Sequence, residues 1–348
     1  MKGFISSRLH PLANLALLAV LLVATFCVTS FIIAVCSNVL FGVGLFEIGN
    51  VQQRPADFPN GWAVSMLSQG LLLLGGFGGA AVALASLTGY RWADYFAPRR
   101  PVPGVWLLLA MALIVASLPL MSVLIEWNAK VHFPAFLQGW EEWARGLESR
   151  AQEITRYLTR FSSPLRFVVA VLVIAVVPAV SEELFFRGVI QRNLVQWFSH
   201  HVGIWLAAAI FSAIHFQFFG FVPRFVLGLV LGYLYEWSGN ILVPMAAHFA
   251  QNAFQLALLY AQQQEWTASD FDPDSTEALP WYWVLLSVVA CAALLWQLRR
   301  LLARPTPEEM PTELHTLGSR GVARRRPLHD TPPPARTLSH DGVDITRE

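Results

Sequence analysis

Charge is scarce in this sequence. Asp, Glu, Lys and Arg make up 14% of its 348 residues, against about a quarter in soluble domains. Hydrophobic residues reach 55% and the mean hydropathy is +0.50, which places the chain in the membrane class before any segment is inspected. The net charge is only +1 and no basic stripe is interleaved with aromatics, so nothing here recommends a nucleic-acid partner. Cysteine is rare as well. Cys27, Cys36 and Cys291 each sit in an apolar run without metal-ligand spacing, and read as small buried hydrophobes. Three protease signatures are also missing: a His-Glu-x-x-His zinc motif, an aspartate deep in an apolar run, and a Gly-x-Ser-Gly serine motif.

What the sequence does have is long apolar runs. A hydrocarbon core of about 30 Å needs roughly 20 helical residues, and eight spans fit, near 13–38, 62–88, 104–126, 164–190, 202–218, 221–237, 241–262 and 281–302. The first follows Lys2 and Arg8 but is too long for a signal-peptide core, and reads as a retained anchor. Between Phe136 and Phe161, Trp140, Trp143, Leu147, Ile154, Leu158 and Phe161 recur at steps of three and four. Glu141, Glu142, Arg145, Arg150, Glu153, Arg156 and Arg160 fill the other face. That pattern predicts a helix lying in the membrane interface. A passive anchor is the simpler reading and a substrate gate the sharper one. The expected fold is thus an all-α polytopic membrane protein with about eight transmembrane helices plus one interfacial amphipathic helix.

Three regions are expected: N-terminal transmembrane helices with the amphipathic segment over 1–163, a catalytic transmembrane core over 164–303, and a disordered cytoplasmic tail over 304–348. The tail is read from Pro305, Pro307, Pro311, Pro327 and Pro332 to Pro334 among mixed charges. Loop charge predicts orientation through Lys and Arg on the cytoplasmic side. Arg91, Arg99, Arg100, Arg192, Arg299, Arg300 and Arg304 flank one set of span ends. Glu265, Asp270, Asp272, Asp274 and Glu277 fill a loop at the other. Both termini are therefore expected in the cytoplasm. A bacterial inner membrane is the first expectation and an endoplasmic-reticulum membrane the second.

Polar residues interrupt the apolar runs at three places. Glu182 and Glu183 are followed by Arg187, Phe211 by His215, and His248 by Asn252. Ionisable groups in a bilayer are costly, about 2.5–3.5 kcal/mol each on insertion scales, and mark pathways or reaction centres. Taken singly, each has a structural reading. Glu183 and Arg187 are spaced for a helical ion pair, a histidine can bridge to a backbone carbonyl, and a His/Asn pair can join helices. Glu182 points about a hundred degrees away from Glu183 around the helix and needs another explanation. Pro178 and Pro244 each stand four residues before one of these groups, where a proline frees a carbonyl and bends the helix. Arg224, near the start of the sixth span, is the exception to this grouping and can snorkel to the nearer interface.

Together these residues supply the parts for amide hydrolysis without a nucleophilic serine or cysteine. Glu182 can take a proton from water, and His215 can hold that water or a metal. His248 and Asn252 can face the developing oxyanion. Glu182, His215 and His248 could also make a zinc site of the two-His, one-carboxylate kind.

Glu182-Glu183-x-x-x-Arg187, Phe211-x-x-x-His215 and His248-x-x-x-Asn252, in this order on successive apolar helices, resemble the three motifs of the type II CAAX prenyl endopeptidase family, also called the CAAX protease and bacteriocin-processing family. The resemblance covers about 164–260. It implies an eight-helix intramembrane peptidase with Glu182 as base, His215 positioning water, His248 and Asn252 stabilising the oxyanion, and Glu183 paired with Arg187. Dependence on glutamate alone or on a metal is left open. The implied substrate is a membrane-associated protein or peptide, prenylated or not, cut near its C-terminus within the lipid bilayer. Two readings from other classes compete: a proton- or ion-coupled transporter, against which no internal repeat with matched broken helices is visible, and a non-catalytic scaffold. One strain remains in the predicted spans. Counted from Val202, His215 falls toward the outer end, away from Glu182, unless the fifth span begins nearer Leu194.

Overall fold

The computed structural model describes residues 9–97, 102–268, 272 and 275–302. The tail, Arg99, Arg100, Asp270, Asp274 and Arg304 lie outside the described residues. The described chain is helical and without strands. We number the main helices α1 (Pro11–Phe41), α2 (Gly61–Leu87), α3 (Gly104–Ala129), α4 (Gln138–Leu158), α5 (Pro164–Trp197), α6 (His200–Ala213), α7 (Phe221–Ser238), α8 (Leu242–Gln263) and α9 (Trp281–Leu301).

Sequence sets the ends of these helices. Pro11 occupies the first turn of α1, while the His10 side chain accepts the Leu12 N–H, a donor with no intrahelical partner. Ser163 and Ser199 cap α5 and α6 in the same way. Gly239 closes α7 with φ of 60°, a conformation that glycine adopts freely.

Six helices, α1, α2, α3, α5, α7 and α9, are long and apolar enough to cross a bilayer. The first shows the inside-out logic. Its most apolar window has a mean hydropathy of 2.7, yet only 22% of it is buried within the protein, so Val20, Val28, Phe31 and Val39 face outward. Lipid is the solvent that makes such a surface stable. The protein is an all-α polytopic membrane protein. Two expected spans differ from the rest. At 14 residues, α6 reaches only about 21 Å. At 22 residues α8 is long enough, but it carries His248, Gln251, Asn252 and Gln255.

Packing inside the membrane uses small residues and hydroxyls. A Cβ on Gly232 would lie 2.8 Å from Gln191 and from Ile204, so α7 sits tightly on α5 and α6. Pro119 interrupts α3, and Ser287 of α9 repairs the break: its hydroxyl donates to the Ala116 carbonyl at 2.6 Å and accepts the Leu120 N–H at 3.2 Å. The N-terminal helices and the later ones share a core in which Leu18, Leu84 and Phe96 pack with Phe185, Val189 and Phe211.

Contacts also sort the helix ends. Asn14 donates to Asn193, and Arg192 donates to the Tyr95 carbonyl. Leu298 and Leu302 pack with Val102 and Trp106. The start of α1, the Arg91 loop, the end of α5 and the end of α9 therefore share one end of the bundle. The α4 helix lies at the other.

Candidate active site

Pro178 has no N–H for the Ile174 carbonyl four residues before it. The helix widens there into a π-type turn over Val171–Val176, and the Asn252 Nδ2 of α8 donates to that carbonyl at 3.1 Å. Wide turns of this kind often accompany functional sites. One turn later come Glu182 and Glu183, both buried.

Glu183 is wholly enclosed. Its Oε1 accepts from Arg187 Nη1 at 2.8 Å and lies 2.8 Å from His248 Nδ1. Its Oε2 is buried with no partner among the described residues. The spacing predicted the arginine. It could not predict the histidine, 65 residues further on. Arg187 is also engaged on both terminal nitrogens, with Nη2 donating to the Gly228 carbonyl at 3.2 Å and the guanidinium 4.5 Å from the centre of the Phe211 ring.

Glu182 faces the other way, into a cavity of ≈ 580 Å³. His215, His248, Asn252 and Phe211 line the same cavity, so the three motifs meet. Glu182 Oε2 stands 4.0 Å from His248 Nε2, too far for a direct hydrogen bond. His215 lies two residues beyond the end of α6, its Nδ1 2.8 Å from the Phe211 carbonyl. A carbonyl only accepts, so that nitrogen carries the hydrogen and Nε2 keeps the lone pair. Phe216 follows with φ of 52°, a left-handed turn that is unusual for phenylalanine.

The depth problem resolves differently from the sequence expectation. Leu194 belongs to the end of α5, not to the start of α6. The runs Glu182 to Trp197 and His200 to His215 are equally long, about 22 Å at 1.5 Å per residue. Both begin from the same end of the bundle, so the two side chains come level.

Among the described residues no three His, Cys, Asp or Glu side chains gather closely enough to hold a metal ion. His248 is drawn back onto Glu183 and His215 onto the end of α6, so Glu182, His215 and His248 do not close into a ligand set.

Residues 164–254 match the family model for type II CAAX prenyl endopeptidase Rce1-like proteins. This segment is similar to that family. The Rce1-like segment contains Glu182, Glu183, Arg187, His215, His248 and Asn252. The uncharacterized protein YpbD of Bacillus subtilis (strain 168) is 36% identical over 92 residues, 25% of this chain and 44% of that protein. The match thus spans less than half the length of that relative. No solved structure matches significantly.

Two features of the site were missed in the sequence. The amphipathic α4 does more than anchor: Ile154 and Leu158 form part of the cavity wall around the Rce1-like motifs. Arg224 is also part of the site. Its Nη2 donates to Gln217, and its side chain lines the cavity with Glu182.

Proposed function

We propose that this protein is a membrane-embedded endopeptidase that hydrolyses a peptide bond near the C-terminus of a membrane-associated protein or peptide. The observation that carries the reading is the convergence of Glu182, His215 and His248 on one cavity within the Rce1-like segment. In this mechanism water lies between Glu182 and the imidazoles, a gap of 4.0 Å from Glu182 to His248 being suited to a bridging water. Glu182 takes a proton from it, and the His215 Nε2 lone pair accepts its other hydrogen. The water oxygen adds to the scissile carbonyl, whose π electrons move onto oxygen. Collapse of that oxyanion breaks the C–N bond, and the proton held by Glu182 leaves with the amine.

His248 has a condition attached to its role. With Nδ1 committed to Glu183, donation from Nε2 to an oxyanion requires the doubly protonated ring. Asn252 has a second amide hydrogen beyond the one on Ile174, available to the same oxyanion. Cleavage of a candidate peptide by purified wild type, Glu182→Ala and His215→Ala tests the assignment. Either folded variant cutting as fast as wild type removes that residue from the mechanism.

Orientation belongs to the same proposal. Arg91, Arg192, Arg299 and Arg300 favour the cytoplasm for the end of the bundle holding the start of α1 and the end of α9, in a bacterial inner membrane. That arrangement puts α4 and its side of the cavity on the opposite face. Gly146 of α4 has nothing within 4 Å of an added Cβ, so Gly146→Cys is a benign reporter. Labelling of intact cells by a membrane-impermeant maleimide is expected beyond that of the parent chain. Protection would reverse the orientation.

A further inference from the structure

Arg224 borders two cavities. The first holds Glu182 and both histidines; the second, of ≈ 520 Å³, lies beneath α4 and is lined by Arg145, Glu148, Gln152, Gln251 and Gln255. Arg224, Leu227 and Asn252 belong to the walls of both. The two arginines nearest the candidate base are therefore used differently. Arg187 spends its donors on Glu183 and Gly228. Arg224 gives Nη2 to Gln217, while its Nη1 is buried and has no hydrogen-bond partner among the described residues. Its position is also built rather than incidental: Gly220 lies against the guanidinium, and a Cβ there would sit 3.1 Å from Nη2.

A buried donor left unpaired is costly, and a planar guanidinium matches a carboxylate better than any neutral acceptor. We propose that Arg224 receives the free C-terminal carboxylate of the peptide substrate, with the scissile bond upstream at Glu182. The inference rests on the endopeptidase reading and gives a physical reason for cutting close to a C-terminus. A chain that ends at Arg224 can place only its last few residues between that anchor and the base. Internal segments have no terminal carboxylate to offer there.

The test uses one apolar, N-acylated, fluorophore-labelled hexapeptide as its free acid and as its C-terminal amide. Binding is measured by fluorescence anisotropy to the full chain carrying Glu182→Gln, in detergent. The free acid is expected to bind at least tenfold more tightly than the amide. Adding Arg224→Gln should bring that ratio near one, and Arg224→Lys should restore part of it, which separates lost charge from lost folding. An acid-to-amide ratio near one before Arg224 is changed, a preference that survives Arg224→Gln, or no binding of either peptide overturns the proposal. So does equal displacement of both peptides by a short-chain phosphatidylglycerol in an Arg224-dependent way, which would assign the site to a lipid headgroup. Cleavage by the unmutated chain is scored separately. Failure to cut either peptide counts against the endopeptidase reading, while the binding ratio still decides Arg224.

Discussion

Two Glu/Arg pairs in this protein have the same spacing and nearly the same geometry. Glu183 and Arg187 on α5 meet at 2.8 Å, and so do Glu141 and Arg145 on α4. Their surroundings differ completely. The α5 side chains are 0% and 2% exposed, whereas those on α4 are 12% and 38% exposed. Around the first pair the partners are His248, Gly228 and Phe211; around the second they are the Phe133 N–H, the Val131 carbonyl and the Phe219 ring. An i,i+4 pattern therefore identifies a pair but not its task. Inside the bundle the pair fixes a histidine beside the candidate base. At the interface it pins a helix to the chain that follows α6.

The comparison should break first at Arg187. Arg187→Ala takes the arginine partner from the buried Glu183 carboxylate, a loss of about 3–5 kcal/mol, read as a large fall in melting temperature in detergent. Removing both partners by Glu183→Ala/Arg187→Ala should cost less than the two single losses added together. Additive losses would mean that the pair is not coupled.

Asn252→Ala should come next, at about 1 kcal/mol for the hydrogen bond to Ile174, with slower cleavage as well. Unchanged cleavage in a folded variant would confine Asn252 to bracing the Pro178 bend. The smallest stability effect is expected at Arg145→Ala, because exposed pairs are screened by water and salt. If it unfolds the protein as readily as Arg187→Ala, exposure does not govern the contrast.

Acidity sharpens the interfacial half. The Glu141 carboxyl is held down at about 2, chiefly by the Phe133 N–H and further by Arg145 and His132. Its folded value lies below the ordinary 4.5, so its contribution is complete above that pH and disappears as the pH falls from 4.5 towards 2. Trp140 and Trp143 fluorescence should report loosening of α4 across this window, and Glu141→Gln should flatten the profile. An identical acid profile in the Gln variant would place the titrating group elsewhere.

The fold was legible because apolar run length and the 3.6-residue stripe of α4 are local properties. Glu183 with Arg187 was legible for the same reason. Glu183 with His248, and Asn252 with Ile174, depend on how α8 leans against α5, which no spacing within either helix records. Arg224 was set apart from the site because its place near a span end is a local property, whereas its share in the cavity wall with Glu182 depends on how the helices pack. The placement of α6 was misjudged because α5 runs on to Trp197, beyond the point at which a helix of ordinary span length would end.

The central claim is that the adjacent glutamates divide the work, Glu183 bracing and Glu182 reacting. It is tested most directly by measuring cleavage rate and melting temperature for Glu182→Gln and Glu183→Gln side by side on one membrane peptide substrate. The account predicts that Glu182→Gln slows cleavage by roughly 10²–10⁴-fold at an unchanged melting temperature, while Glu183→Gln lowers the melting temperature. A Glu182→Gln protein that cleaves at the wild-type rate would contradict it.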